Sequence, residues 1–155
     1  YLDFAASDDS KDRSVINPVE AIIKIKNDVH FRNHKIELEV LNDEAATVNE
    51  NVFVRSITNI LNNAIDKAGR IIIKAEVNSK MIKINIHDNG PGIDDEEKAN
   101  VFKPFYRIDK SRNQNKTNSG LGLATTKSLL GSINGKISLH DSYLGGLEVA
   151  IVIQN

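Results

Sequence analysis

Cysteine is absent from the 155-residue chain, which excludes disulfides, thiolate metal centres and thiol catalysis. There are four histidines, His30, His34, His87 and His140, and they lack the pairing of a zinc site. Net charge is only -1, so the chain offers no basic field for nucleic acid, and no nucleic-acid partner is expected. No apolar run approaches the roughly 18 residues that span a bilayer. No signal peptide is visible, and the chain starts at Tyr1 without a methionine. Internal repeats and low-complexity segments are absent too. What is present is an ordinary globular composition, 40% hydrophobic. A chain of this length buries about 70% of its unfolded surface, enough for one core. The reading is a soluble fragment of a longer protein, lying beside a membrane segment not included in it.

Polar residues 7–14 are expected to be a linker after the apolar helix tail Tyr1–Ala6. Asn17-Pro18 marks a helix start, with Asn17 as N-cap. Residues 35–41 alternate as a strand does. Over residues 50–68, Phe53, Ile57, Ile60, Leu61, Ala64, Ile65 and Ala68 form one helical stripe, which Gly69 ends. Asn59, Asn62, Asn63 and Asp66 share that spacing on the other side. Strands are expected over residues 70–77 and 81–88, joined at Asn78-Ser79-Lys80. A loop-rich stretch, 89–119, holds two of the three prolines. A helix over 121–130 and a hairpin of strands 136–140 and 147–153, turning near Gly145-Gly146, complete the chain. This order implies an α+β fold: a two-layer α/β sandwich with a mixed, mostly antiparallel sheet of about five strands and about three helices on one face.

Four segments carry the chemistry. Alternation puts Asp88 on the face of Ile82, Ile84 and Ile86, where a carboxylate is costly unless a donor meets it. Asn89-Gly90-Pro91-Gly92 follows. One reading is a turn closed by Asp and Asn side chains. The other is a pocket floor accepting from an exocyclic amine, beside glycines that admit a flat ring. Glycines in Ser119-Gly120-Leu121-Gly122-Leu123 leave backbone N–H groups at a helix start, suited to phosphate or simply a cap. The segment is not a Walker loop, since no Gly-Lys-Ser/Thr follows. It is not a dinucleotide fingerprint either, lacking the third glycine and a preceding strand. The asparagine stripe reads as a solvated face or as hard oxygen ligands for Mg²⁺. Residues 94–119 open with an Asp94–Glu97 capping box for a short helix. Phe102, Phe105, Arg107, Lys110, Arg112 and Lys116 follow, in a soluble surface loop or a lid whose cations close over phosphates.

Taken in order, Asn59-Ile60-Leu61-Asn62-Asn63-Ala64, Asp88-Asn89-Gly90-Pro91-Gly92-Ile93, the Phe102/Phe105 segment and Ser119–Ala124 resemble four signature boxes. These are the asparagine, first glycine, phenylalanine and second glycine boxes of the histidine-kinase ATP-binding domain. That domain is grouped with gyrase, the large heat-shock chaperones and the mismatch-repair ATPases. The likeness spans about residues 15–153; residues 1–5, 101–114 and 119–127 are similar to osmolarity-sensor kinases. The resemblance implies domain bounds: 1–6 as the end of a dimerisation helix, 7–14 as linker and 15–155 as catalytic domain with a lid at 94–119. It implies ATP and Mg²⁺ as cofactors, with Asp88 accepting from the adenine amine and Gly90, Gly92 and Ile93 lining its pocket. Asn63, supported by Asn59, would hold the metal. Gly120, Leu121, Gly122 and Leu123 would present amides to the phosphates, and Phe102 and Phe105 would anchor the lid. Arg107, Lys110 and Arg112 are the phosphate-binding candidates, Arg107 with a catalytic role.

The sequence departs from the family after Ala64. Asp66 stands where a basic residue is expected and Lys67 where an aromatic is, so Lys67 is taken as the compensating cation. The ATPase relatives carry a water-activating glutamate where this chain has Asn59, and a carboxamide cannot act as general base. The γ-phosphoryl group would instead await a histidine on a partner helical domain. None of the four histidines stands in the family's acceptor motif, so the fragment is expected to bind Mg-ATP without labelling itself. Three readings follow: a sensor-kinase catalytic module, an ATPase of the gyrase or mismatch-repair type, and a degenerate nucleotide- or partner-sensing module. The expected partners are the phosphoacceptor domain and a response regulator. The fragment is expected to be monomeric, a cytoplasmic part of an inner-membrane-anchored receptor kinase.

Overall fold

A computed structural model of the chain describes residues 12–106 and 122–154. The element order is β1 (Ser14–Ile16), α1 (Pro18–Asn27), β2 (Ile36–Asp43), β3 (Ala46–Val48), α2 (Glu50–Ile65), β4 (Ile71–Val77), β5 (Met81–Asp88), α3 (Gly122–Ser132), β6 (Gly135–Asp141) and β7 (Leu147–Gln154). Five strands form one sheet in the order β2-β4-β5-β7-β6. Only β2–β4 is parallel; the other three pairings are antiparallel. This is the expected mixed α+β sandwich.

Alternation along the strands becomes rows across the sheet. On the inner face Ile73, Ile86, Val149 and Leu139 lie in register, and so do Ala75, Ile84, Ile151 and Ile137. The helices cover this face. Phe53, Ile57, Ile60 and Leu61 of α2 are at most 1% exposed, as is Ile22 of α1. Each such aliphatic or aromatic side chain contributes roughly 1.5–3 kcal/mol by leaving water. The row beyond Ile86 reads Ile36, Ile71, Asp88, so the carboxylate terminates an otherwise apolar face.

Helix starts follow local chemistry. The Asn17 side chain accepts the Glu20 amide at 2.9 Å, with Pro18 in the first turn. Asn49 does the same for α2, accepting from Val52 at 3.0 Å. The Asn78 carboxamide oxygen takes the Lys80 and Met81 amides and closes the β4–β5 turn.

Three expectations need correction. Helix α2 ends at Ile65 with Asp66 as C-cap, short of Ala68. Residues 95–99 form hydrogen-bonded turns leading into a 3₁₀ turn, Asn100–Phe102, in place of a capped helix. The Glu97 amide bonds the Asp94 carbonyl, and its carboxylate reaches forward to the Tyr106 hydroxyl and the Asn100 amide. Ser14, expected in the linker, opens β1, which pairs antiparallel with β3 as a separate two-stranded sheet. Tyr1–Ala6 lies outside the described residues. No helix among the described residues is long and apolar enough to cross a membrane.

Candidate functional site

The inner face of β5 runs Ile82, Ile84, Ile86 and then Asp88, which is 8% exposed. Two backbone amides meet its carboxylate. Gly90 N–H donates to Oδ1 at 2.9 Å and Leu147 N–H donates to the same oxygen at 3.1 Å. The Gly146 N–H also donates to the Asp88 carbonyl, at 3.1 Å. Among the described residues no hydrogen bond engages Oδ2. Asp88 is therefore a turn residue and, equally, a fixed acceptor with one oxygen uncommitted.

The neighbouring backbone approaches closely at two glycines. A Cβ on Gly90 would lie 2.8 Å from the Lys67 carbonyl oxygen and 3.2 Å from Asp88 Oδ1. That contact brings the end of α2 beside the loop after β5, although the Lys67 side chain itself is exposed. Gly92 has φ +73°, a backbone state glycine adopts without strain. Ile93 is half-buried against the core. Asn89 does not close its own turn in the way one of the two readings of this segment has it. Its side-chain oxygen instead accepts the Gly69 and Arg70 amides, each at 2.9 Å. It thereby ties the end of α2 and the start of β4 to the site loop.

The asparagine stripe is not a freely solvated face. Asn59, Asn62 and Asn63 are half-buried, and Asp66 is exposed. A Cβ on Gly122 would sit 3.2 Å from Asn63 Nδ2 and 3.4 Å from its Oδ1. The start of α3 thus lies against the amide of Asn63, which joins two of the sequence signals in space. Leu123, the next residue, is half-buried against the core. Asn62 Oδ1 is 2.8 Å from His30 Nε2, a partnership the sequence did not signal. His30 and His34 lie past α1 in a turn and are exposed, as expected of surface residues.

In the segment before the undescribed stretch, Phe102 is half-buried, with Lys127 Nζ 5.1 Å from its ring centroid. Lys98 Nζ bonds both Asp95 and, at 2.9 Å, Asp141 at the end of β6. These contacts hold the stem of the expected lid. Phe105 does not anchor it in the described structure. The residue is 72% exposed and has φ 65°, because the turn after Pro104 points its ring away from the core. Arg107, Lys110, Arg112, Lys116, Gly120 and Leu121 lie outside the described residues.

Residues that sequence reasoning missed are backbone groups of the β6–β7 turn. The amides of Gly146 and Leu147 hold Asp88, and no side-chain pattern marks an amide donor. On the opposite face, His87 is 6% exposed and its Nδ1 is 2.9 Å from Ser142 Oγ in the same turn. The Tyr143 ring packs edge-on against it with centroids 4.8 Å apart. Burial lowers the His87 pKa below the ordinary 6.5, against the opposing pull of the Glu148 carboxylate. The unfolded chain therefore binds a proton that the folded chain resists. This contribution to stability is complete above the unfolded value and is lost as pH falls through the depressed folded value. Urea midpoints of wild type should drop between pH 7 and 5 by more than those of His87→Gln. Parallel curves would show that His87 does not contribute to acid lability.

An acidic acceptor at a sheet end, closely packed glycines beside it and a half-buried asparagine against a helix start mark this α+β sandwich. Residues 48–155 match the family described as histidine kinase-, DNA gyrase B-, and HSP90-like ATPase, and the chain belongs to that family. It is 34% identical over 104 residues to the sensor histidine kinase CpxA of Escherichia coli (strain K12), covering 66% of this chain and 23% of that protein. To the signal transduction histidine-protein kinase BaeS of the same strain it is 28% identical over 126 residues, covering 78% of this chain and 27% of the relative. The catalytic domain of the histidine kinase ThkA superposes with a TM-score of 0.78 at 22% identity, over 92% of this chain and 95% of that one. The chain spans about a quarter of the length of these curated relatives, both histidine kinases by name.

Proposed function

We propose that the chain is the ATP-binding catalytic domain of a two-component sensor histidine kinase. It binds Mg-ATP and delivers the γ-phosphoryl group to a histidine on a separate helical domain. The observation that carries this reading is Asp88. Two backbone amides fix one of its oxygens, and the other remains available to the amino group of adenine. Gly90 and Gly92 admit the ring, Ile93 lines it, and the Gly122–Leu123 start of α3 presents amide groups toward phosphate. Arg107, Lys110, Arg112, Gly120 and Leu121 complete the phosphate site in this proposal, and Lys67 supplies a cation at its edge.

The residues fit a metal carried in by the nucleotide. Among the described residues no three His, Asp or Glu side chains converge as a ready cation cage. Asn63, with Asn59 one turn back, offers the few hard oxygens that Mg²⁺ takes beside phosphate. The bound cation would neutralise charge developing on the phosphates. Asn59 has no basic atom with which to activate water, so transfer to imidazole is favoured over hydrolysis. In that transfer the γ-phosphorus bond to the bridging oxygen breaks, a P–N bond forms, ADP leaves and the imidazole loses its proton.

Residues 1–6 end a dimerisation helix and 7–13 link it to the domain in this proposal. The acceptor domain and a response regulator are its partners, and the parent protein is an inner-membrane receptor with this part in the cytoplasm. The osmolarity-sensor likeness belongs to the same proposal. The test supplies γ-labelled Mg-ATP to the chain with the helical domain of the full-length kinase. Label on a histidine of the helical domain, with none on the chain, is the expected result. Phosphate release alone would favour the ATPase reading, and binding without transfer the degenerate one. In Asn63→Ala the gain in ATP affinity given by Mg²⁺ over EDTA should shrink at least about tenfold, as the loss of one charged contact predicts. An unchanged ratio would remove Asn63 from the metal site.

A further inference from the structure

The β6–β7 turn delivers the Leu147 amide to Asp88, and a second side chain grips that turn from behind the sheet. His87 and Asp88 are consecutive on β5, so their side chains leave on opposite faces. Asp88 receives Leu147 N–H at 3.1 Å, and its carbonyl receives Gly146 N–H at 3.1 Å. His87 Nδ1 lies 2.9 Å from Ser142 Oγ. Ser142 is 8% exposed and is the hub of the turn. Its amide donates to the Gly146 carbonyl at 2.8 Å and its carbonyl accepts from Gly145 at 3.0 Å. Its hydroxyl oxygen accepts the Leu144 amide at 3.1 Å. A hydroxyl carries one proton and two lone pairs, so Ser142 Oγ can hold the Leu144 amide and still share a hydrogen bond with His87 Nδ1 in either direction, and either direction ties β5 to the turn. The other ring nitrogen, Nε2, faces Glu148 Oε2 at 3.8 Å. Lys74 Nζ, 4.7 Å from the Tyr143 ring centroid, stands on the same face.

We infer that His87 and Ser142 are a positioning pair for base recognition: their hydrogen bond on the outer face of the sheet sets the turn whose Leu147 amide aims the Asp88 carboxylate on the inner face. The inference rests on the reading of Asp88 as the adenine acceptor. Neither residue touches nucleotide. They act on the one interaction that distinguishes a 6-amino purine, and not on the phosphate contacts at α3.

Calorimetric titration of the chain with Mg-ATP and with the Mg complex of purine riboside triphosphate, which lacks the amino group, tests it. In Ser142→Ala and in His87→Phe, affinity for ATP should fall roughly 3- to 10-fold, the worth of one modest hydrogen bond. Affinity for the purine analogue should stay within about twofold on the same scale. The double variant should lose no more than Ser142→Ala alone, since the bond that His87→Phe removes is already absent there. His87→Gln, which keeps a hydrogen-bonding group toward Ser142, should recover most of the discrimination. Equal losses for both nucleotides, or no loss for either, would overturn the inference and leave the pair purely structural. Asp88→Asn is the reference arm. If it leaves the preference for ATP over the analogue intact, the adenine reading itself has failed, and the pair has nothing to position.

Discussion

Asp88→Asn should fold normally and lose ATP affinity by roughly 100-fold, the cost of a charged hydrogen bond turned into a donor–donor clash. The direction follows from the two amides on Oδ1. Gly90 N–H and Leu147 N–H, at 2.9 and 3.1 Å, both require an acceptor. An asparagine satisfies them only with its carboxamide oxygen in that position. Its NH₂ group then replaces Oδ2 and faces the adenine amine, where two donors meet. A purine with a carbonyl at that carbon presents an acceptor instead. The variant should accordingly bind the 6-oxo nucleoside triphosphate better relative to ATP than wild type does. Calorimetry on both nucleotides reads the change, and thermal melting confirms the fold. Wild-type affinity in the variant would reduce Asp88 to its turn role.

Asp88 was legible in the sequence because strand alternation is strict. Ile82, Ile84 and Ile86 fix its face, and the break at Asn89-Gly90 fixes its depth along the strand. The helix start at Asn17-Pro18 and the turn at Asn78 were legible for another reason: each is a local hydrogen-bond rule with a side-chain signature. The missed features lack one. Strands β1 and β3 have three residues each, too few to show a period, and among the described residues they pair only with each other. Asn89 looked like its own turn residue, yet it holds amides 20 and 19 positions away. Alternation gave the face of His87 but not its burial, which depends on Ser142 and Tyr143 arriving from a distant turn. The expected Asp94–Glu97 capping box failed by competition. The Tyr106 hydroxyl and the Asn100 amide engage the Glu97 carboxylate.

Gly146→Ala should be among the least tolerated single-methyl changes in the chain. A Cβ there would lie 2.1 Å from Asp88 Oδ1, 2.6 Å from the Asp88 carbonyl oxygen and 2.6 Å from the Gly90 nitrogen. Two of these three atoms are backbone in a hydrogen-bonded sheet end, so neither can swing aside as a flexible side chain would. Relief requires the turn to retreat, which breaks the Leu147 and Gly146 amide bonds to Asp88 together. Overpacking of this kind costs about 3 kcal/mol at the upper end of its usual range, which lowers the melting temperature by roughly 10 °C in a domain of this size. ATP binding should fail with it, because the carboxylate loses the amide that aims it. Gly69→Ala provides the internal contrast. Nothing lies within 4 Å of its Cβ position, so it should melt within a few degrees of wild type and bind ATP normally. Matching melting curves and affinities for the two variants would mean that the turn is soft. Asp88 would then not be held from the β6–β7 side, since steric exclusion and amide contact there depend on the same close approach.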